Sequence, residues 1–347
     1  MKGASRYGSV DAMDTFVPVR PPGWAEAAES PSATLLSIEK WLENAPLVAL
    51  VREFGGELPA APAGELLAWL DEFSARCWDF RAGQERNLAK SVEFRPPTSR
   101  LILEAATALG LVEASPPTAK SYDHLLILGG LVRACILRPR YAAQLLNDGL
   151  EVGSVSALSA YRPLRGDEND LMAALDKSGM SNEMEAMQSG LATAFGLGSP
   201  DDEQCDEARG LEYATSLVRT WQKHGLPFRL VIAPSPEPEA RRANTADTYA
   251  FWADRCVHLN PGDHILLVTS SIYVPFQHAD AVRMLALAHR CAVETVGVSF
   301  SDKQVEPPLR QPFTPANYLQ EVRSTIRAVR ALHATATDMT NRADGAS

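Results

Sequence analysis

Four short, apolar-rich segments constrain the fold of this chain more than any other feature. They are "HLLILGG" (124–130), "FRLVIAP" (228–234), "HILLVTS" (264–270) and "VETVGVSF" (293–300). A strand solvated on one face alternates apolar with polar residues, whereas a strand buried on both faces reads as a continuous apolar stretch. "GSVSALSA" (153–160) adds a fifth strand of the same kind. Helical patterns separate the five, around 133–147, 182–195, 244–256 and 277–290. Strands joined through helices must pair in parallel, because each connection has to cross back over the sheet. The expectation is an α/β fold with a doubly wound, mainly parallel sheet of about five strands.

The remainder is expected to frame that sheet. Residues 1–32 are rich in Pro, Gly, Ser and Ala and read as an irregular segment. Residues 33–118 place apolar positions at helical spacing, with Leu66, Leu67, Trp69, Leu70 and Phe73 on one side, and Pro59, Pro62, Pro96 and Pro97 at the breaks. This predicts a helical subdomain and a candidate lid. Within it, "CWDFRAGQERNLAK" brings Asp79, Arg81, Glu85 and Arg86 together, either as a surface ion-pair lattice or as the lid's closing edge. Residues 119–305 form the Rossmann-like α/β domain. Residues 306–347 read as a last amphipathic helix (313–335) and a frayed tail.

The formal net charge of −10, with no basic block, argues against nucleic-acid binding, whose affinity comes from many Lys and Arg contacts to phosphate. No stretch reaches the ~18–20 apolar residues that cross a bilayer, so no membrane association is expected. The N-terminus has no signal-peptide core, which makes the cytoplasm the expected location. Five scattered cysteines without a CxxC pair suggest buried thiols rather than disulfides or zinc. No metal is expected, and self-association is left open.

In an open α/β sheet, ligands sit beyond the carboxyl ends of the strands, so the residues just after each strand carry the functional information. After the first strand come Gly129 and Gly130, which let the backbone turn and approach a ligand, and then Arg133. Ser159, Arg162 and Glu183 follow the second strand. Arg242, Asn244 and Thr245 follow the third, and Thr269, Ser270, Tyr273 and His278 end or follow the fourth. Each has a bland explanation: Asn244 or Thr245 as a helix cap, Glu183 as an acid favoured by a helix start, the arginines as solvated cations. Their gathering on one rim of one sheet favours a ligand pocket. No GxSxG elbow, phosphate loop, GxGxxG turn or paired metal-binding histidines is present.

The order of these turns resembles the SanA/ElyC/YdcF family over residues of about 122–300. The resemblance rests on "LILGG" with Arg140 in "RPRYAAQLL", "LSA" at 158–160, Glu183 in "NEMEAM", "RRANTADTY" and "LLVTSSIYVPFQHADAVRML". Ser159-Ala160 replaces the Ser-Gly of the family pattern, and Tyr273 and Phe276 stand where histidine and arginine are expected. The resemblance implies a soluble YdcF-like protein, for which S-adenosylmethionine is the first candidate cofactor.

These readings converge on a small-molecule enzyme that binds a nucleotide-like or anionic ligand for group transfer. Gly129, Gly130, Arg133, Ser159, Arg162, Arg242, Asn244, Thr245, Thr269 and Ser270 are expected to hold the ligand, with Glu183, Tyr273 and His278 as the candidate acid–base groups. Two other classes use the same residues. One is hydrolysis or transfer at a phosphate ester or nucleotide sugar, and the other is a binding protein without catalysis.

Overall fold

The computed structural model describes residues 16–24, 30–80, 92–113, 116–206, 212–301 and 304–344. Seven strands form one sheet: β1 (Ser121–Ile127), β2 (Glu151–Ser159), β3 (Asp202–Asp206), β4 (Ser216–Lys223), β5 (Leu226–Ile232), β6 (His264–Ser270) and β7 (Ala292–Val298), in the order β3-β4-β5-β2-β1-β6-β7. The five strands read from the sequence form its parallel part, β5-β2-β1-β6-β7. From β1 the chain builds outward through β2 to β5, then returns to lay β6 and β7 on the other side. The strand order therefore reverses between β1 and β6. Ile127 pairs with both Ala157 and Val268, which brings the carboxyl ends of β1, β2 and β6 level at one rim.

The expected sheet lacked β3 and β4, an antiparallel hairpin that extends the β5 edge. Every residue of β3, "DEQCD", is exposed, so no apolar run announces it. The turn between β4 and β5 did carry a signal. His224 and Gly225 both take positive φ (51° and 80°), the two-residue geometry that joins tight hairpins. Charged side chains on β3 suit a free edge, where they discourage pairing with another chain.

Both faces of the sheet are covered. Leu125 and Ile127 enter one buried cluster, with α5 (Val132–Asn147), α6 (Gly166–Ala174) and α7 (Glu183–Phe195). Leu126 and Leu128 enter the other, and this opposition explains the continuous apolar run in β1. The second cluster takes in α1 (Pro31–Leu42), α2 (Ala45–Glu53), α3 (Ala63–Cys77) and α4 (Pro96–Ala108). It also holds α8 (Thr245–Phe251) with its π-helical extension Trp252–Val257, then α9 (Val274–Ala281), a second π-helical turn (Val282–Ala286) and α10 (Leu287–His289). The long α11 (Pro315–Asp344) completes it. α1, α3 and α4 pack on α11, so the helical layer and one face of the sheet share a single core. Of the tail expected to fray, the part up to Asp344 forms the last turns of α11, where Thr340 donates to the Ala336 carbonyl and Met339 packs inward, and 345–347 lie outside the described residues. Of the expected lid edge, Arg81, Glu85 and Arg86 lie outside the described residues, while Asp79 pairs with Arg323 of α11.

Helices α5 and α7 meet where Gly190 leaves no room for a side chain. A Cβ there would lie 1.9 Å from the Cys135 carbonyl oxygen, a backbone atom that cannot step aside. In a free helix, Gly→Ala gains up to about 1 kcal/mol. Gly190→Ala should instead lose ~1–3 kcal/mol through overpacking, as read by urea denaturation. A stabilised variant would show that the two helices are not in this contact.

Candidate functional site

At the rim where β1 and β2 end, two loops are pinned to each other. Pro163 and Asn182 form an isolated bridge, and the Glu183 amide donates to the Arg162 carbonyl. Asn182 caps α7 by accepting from the Glu185 amide, so Glu183 falls on the first helical position beside Arg162. Glu183 is 7% exposed. Its Oε2 accepts from Arg162 Nε at 3.0 Å, and the two terminal nitrogens of Arg162 reach Glu168 Oε2 and Oε1 at 2.7 and 2.8 Å. Glu168 Oε1 also accepts from the Val132 amide at the start of α5, and Arg162 Nη2 donates to the Gly130 carbonyl. One guanidinium thus joins β1, α5, α6 and α7.

Two carboxylates sharing one cation separate in acidity. Burial pushes Glu183 above the usual carboxylate range, against the pull of Arg162, Arg242 and Arg138. Burial acts on Glu168 in the same direction. There the Arg162 donors and the Val132 amide outweigh it and hold the carboxyl below its ordinary value. Acids driven apart in this way can take different roles at one pH, one fixed as an anion and the other ready to exchange a proton.

A cavity of about 440 Å³ opens beside Glu183. Among the residues around it are Gly129, Ser159, Arg242, Asn244, Thr245 and Gln277. Gly129 is needed for the approach of the acid: a Cβ there would lie 2.5 Å from Glu183 Oε1 and 2.6 Å from the Leu158 carbonyl oxygen. Ser159 is 6% exposed, and its Oγ has no hydrogen-bond partner among the described residues. Arg241 is held by Asp247, but the exposed guanidinium of its neighbour Arg242 makes no hydrogen bond or ion pair among the described residues. Asn244 caps α8 through the Asp247 amide, so it serves the helix and also faces the cavity.

Other expected site residues are placed elsewhere. Arg162 spends its donors on the two glutamates and on backbone carbonyls, which makes it a positioning residue for Glu183 rather than a ligand donor. Arg133 is not on the cavity wall. Ser270 Oγ accepts from Arg138, and Thr269 donates to Gln277 Oε1, which aligns that amide at the cavity edge. Tyr273 packs edge-on against Phe276 with the Arg138 guanidinium over its ring, away from the cavity. His278 is fully buried, bonded through Nδ1 to Thr295 Oγ1 and tilted against Trp24. Burial pushes it down to about 3, so it stays neutral and serves the core. Arg138, which the strand-end reading passed over, is 2% exposed and ties the Leu128 and Gly129 carbonyls to Ser270 across the β1/β6 switch. Its only signal was a cation inside an otherwise apolar helix face. Among the described residues, no group of three or more His, Cys, Asp or Glu could hold a metal ion. No described helix is long and apolar enough to cross a membrane.

Residues 25–110 match a family model described as the Rv3785 N-terminal domain. Over 321 residues the chain is 34% identical to an uncharacterized protein, Rv3785, of Mycobacterium tuberculosis, an alignment covering 85% of this chain and 88% of the relative. It is identical to the same degree, over the same shares, to the uncharacterized protein Mb3814 of Mycobacterium bovis. No solved structure matches. These matches overturn the resemblance to the SanA/ElyC/YdcF family. The motifs that carried it, a Gly-Gly corner, an Asn cap and hydroxyl residues ending a strand, are the ordinary furniture of strand-to-helix turns.

Arg162→Gln should cost about 3–5 kcal/mol at neutral pH, because it leaves two buried carboxylates without their cation. Without the cation both acids have raised folded-state pKa values. Their stability is then retained in acid and lost as pH rises through the carboxylate range. The deficit against wild type should therefore shrink below about pH 4, as read by chemical denaturation at several pH values. A deficit independent of pH would remove the charge-sharing explanation.

Proposed function

The chain belongs to the Rv3785 family, and from that footing we propose that it is a small-molecule enzyme binding an anionic, nucleotide-like ligand for group transfer at the carboxyl rim of β1, β2 and β5. One observation carries this reading. Glu183, a buried acid with a raised pKa, stands in a cavity whose wall also presents an unpaired guanidinium, Arg242. Arg242 offers planar paired donors to a carboxylate or phosphate. Glu183 supplies a proton acceptor or donor beside it, and Ser159 Oγ and the Gln277 amide add polar groups that orient the ligand. The reversal of strand order between β1 and β6, next to this wall, supports the same location.

S-adenosylmethionine stays among the candidate ligands on its chemistry alone, since its carboxylate suits Arg242 and its amine and ribose suit Glu183. Hydrolysis or transfer at a phosphate ester or nucleotide sugar draws on the same arginine. Binding without catalysis has a supporting observation of its own: Tyr273 and His278 stand off the cavity, which leaves Glu183 as the acid–base group of the wall.

Thermal-shift measurements with S-adenosylmethionine, S-adenosylhomocysteine, nucleotides and nucleotide sugars separate these cases. A ligand at one hundred times its Kd adds about 2.7 kcal/mol to the folded state. At least one class should raise the melting temperature of wild type and of Glu183→Gln, but not that of Arg242→Gln. Turnover of that ligand should be lost in Glu183→Gln. Retained turnover would remove Glu183 as the acid–base group, and no shift with any class at millimolar concentration would end the proposal.

A further inference from the structure

A second hollow, of about 540 Å³, lies between the β3–β4–β5 edge and the π-helical turn Trp252–Val257. The register places Ser156 of β2 opposite Arg229 of β5, and Arg229 opposite Thr220 of β4. A polar row therefore crosses a face whose next row is Leu158, Val231 and Val218. Arg229 is half-buried, and its shielded nitrogen calls for a partner, because a donor out of water that lacks one is unfavourable. Among the described residues Arg229 has no hydrogen bond and no ion pair, and its Nη1 is buried. Ser156 is 1% exposed with its Oγ unpartnered, and Trp252, over the same face, is fully buried with its Nε1 unpartnered.

Arg229 lines the hollow, as does Arg255 of the π-helical turn, exposed and likewise unpaired among the described residues. The acidic groups bordering it do not answer the two arginines. Glu203 is taken by Arg219 at 2.5 Å, and Asp206 pairs in register with Ser216, four residues along β4 from the Thr220 that faces Arg229. The two guanidinium groups left open on its lining, Arg229 and Arg255, are of the kind that receives an oxyanion. We propose that this hollow is a second ligand site, distinct from the Glu183 cavity, which takes the carboxylate or phosphate group of a small metabolite on Arg229 and Arg255. α8 with its π-helical extension reaches both places: Thr245 and Thr248 line the first cavity, and Phe251, Arg255 and Cys256 line the second. An occupant of the second hollow therefore bears on the helix that walls the first, the arrangement of an effector site.

Cys256 lines this hollow and reports on it, while Cys77 of α3, equally half-buried, does not. The test is the iodoacetamide labelling rate of each cysteine, resolved by mass spectrometry, with inorganic phosphate as the probe. Phosphate should slow labelling of Cys256 in wild type by about twofold at a concentration equal to its Kd, and leave Cys77 unchanged. The protection should disappear in Arg229→Gln and persist in Arg242→Gln, whose residue belongs to the other cavity. Should Arg229→Gln fail to fold, Arg255→Gln, on the exposed turn, should weaken the protection. No slowing up to roughly 50 mM phosphate, where even a millimolar site is filled, would overturn the proposal. So would equal slowing of Cys77, or full protection in both Arg229→Gln and Arg255→Gln.

Discussion

Arg162 holds together the rim of the sheet that carries the Glu183 cavity. Its planar fork makes five hydrogen bonds, to two carboxylates and two carbonyls, where a lysine has only three donors. Besides the adjacent Pro163 carbonyl, its partners come from separate stretches of chain: Glu168 from α6, Glu183 from α7 and the Gly130 carbonyl from the turn after β1. Through Glu168 the set also caps the first amide of α5. The rim geometry thus follows from one side chain, and the unequal acidity of the two glutamates follows from burial, which wins at Glu183, set against the bidentate Arg162 and the Val132 amide, which win at Glu168.

The rigid frame behind this rim is the double-faced core. β1 lies between β2 and β6 with its side chains committed alternately to two buried clusters, so a one-residue slip would exchange the contents of both. Arg138 fastens the ends of β1 and β6 at the switch in strand order, and the missing side chain of Gly129 lets Glu183 come against the backbone there. The helical layer contributes differently. It joins the opposite core through α11, and none of its described residues lines the Glu183 cavity. Its described part packs against the sheet through that shared core.

How much of this was legible in the sequence depended on whether a residue's role was set by its own pattern or by its partners. Short apolar segments alternating with helical patterns revealed the five parallel strands, most plainly the continuous run 125–128 at the end of β1, which is buried on both faces. The β3 edge left none, since an exposed edge strand is polar throughout, and α6 was hidden in "RGDEND", which resembles a loop. Glu183 and Arg242, expected at the rim because strand ends are where open sheets place their polar groups, do line one cavity. Tyr273 and His278 shared that address in sequence, yet the turn after β6 carries both away from the cavity, to Phe276 and to Thr295. Arg162 was legible as a cation at the rim but not as the partner of two acids, because ion pairing between separate loops has no local signature. The SanA/ElyC/YdcF resemblance failed for the same reason. Short turn motifs record the physics common to many α/β sheets, not descent.

The most direct measurement is a carbon-13 NMR pH titration of the glutamate side-chain carboxyls, with Glu183 and Glu168 assigned through Glu183→Gln and Glu168→Gln. Glu183 should titrate above the ordinary value of about 4.3, with Glu168 remaining ionised well below it. Coincident titrations, or Glu183 titrating below the ordinary value, would contradict the sharing of Arg162 between a fixed anion and a proton-exchanging acid.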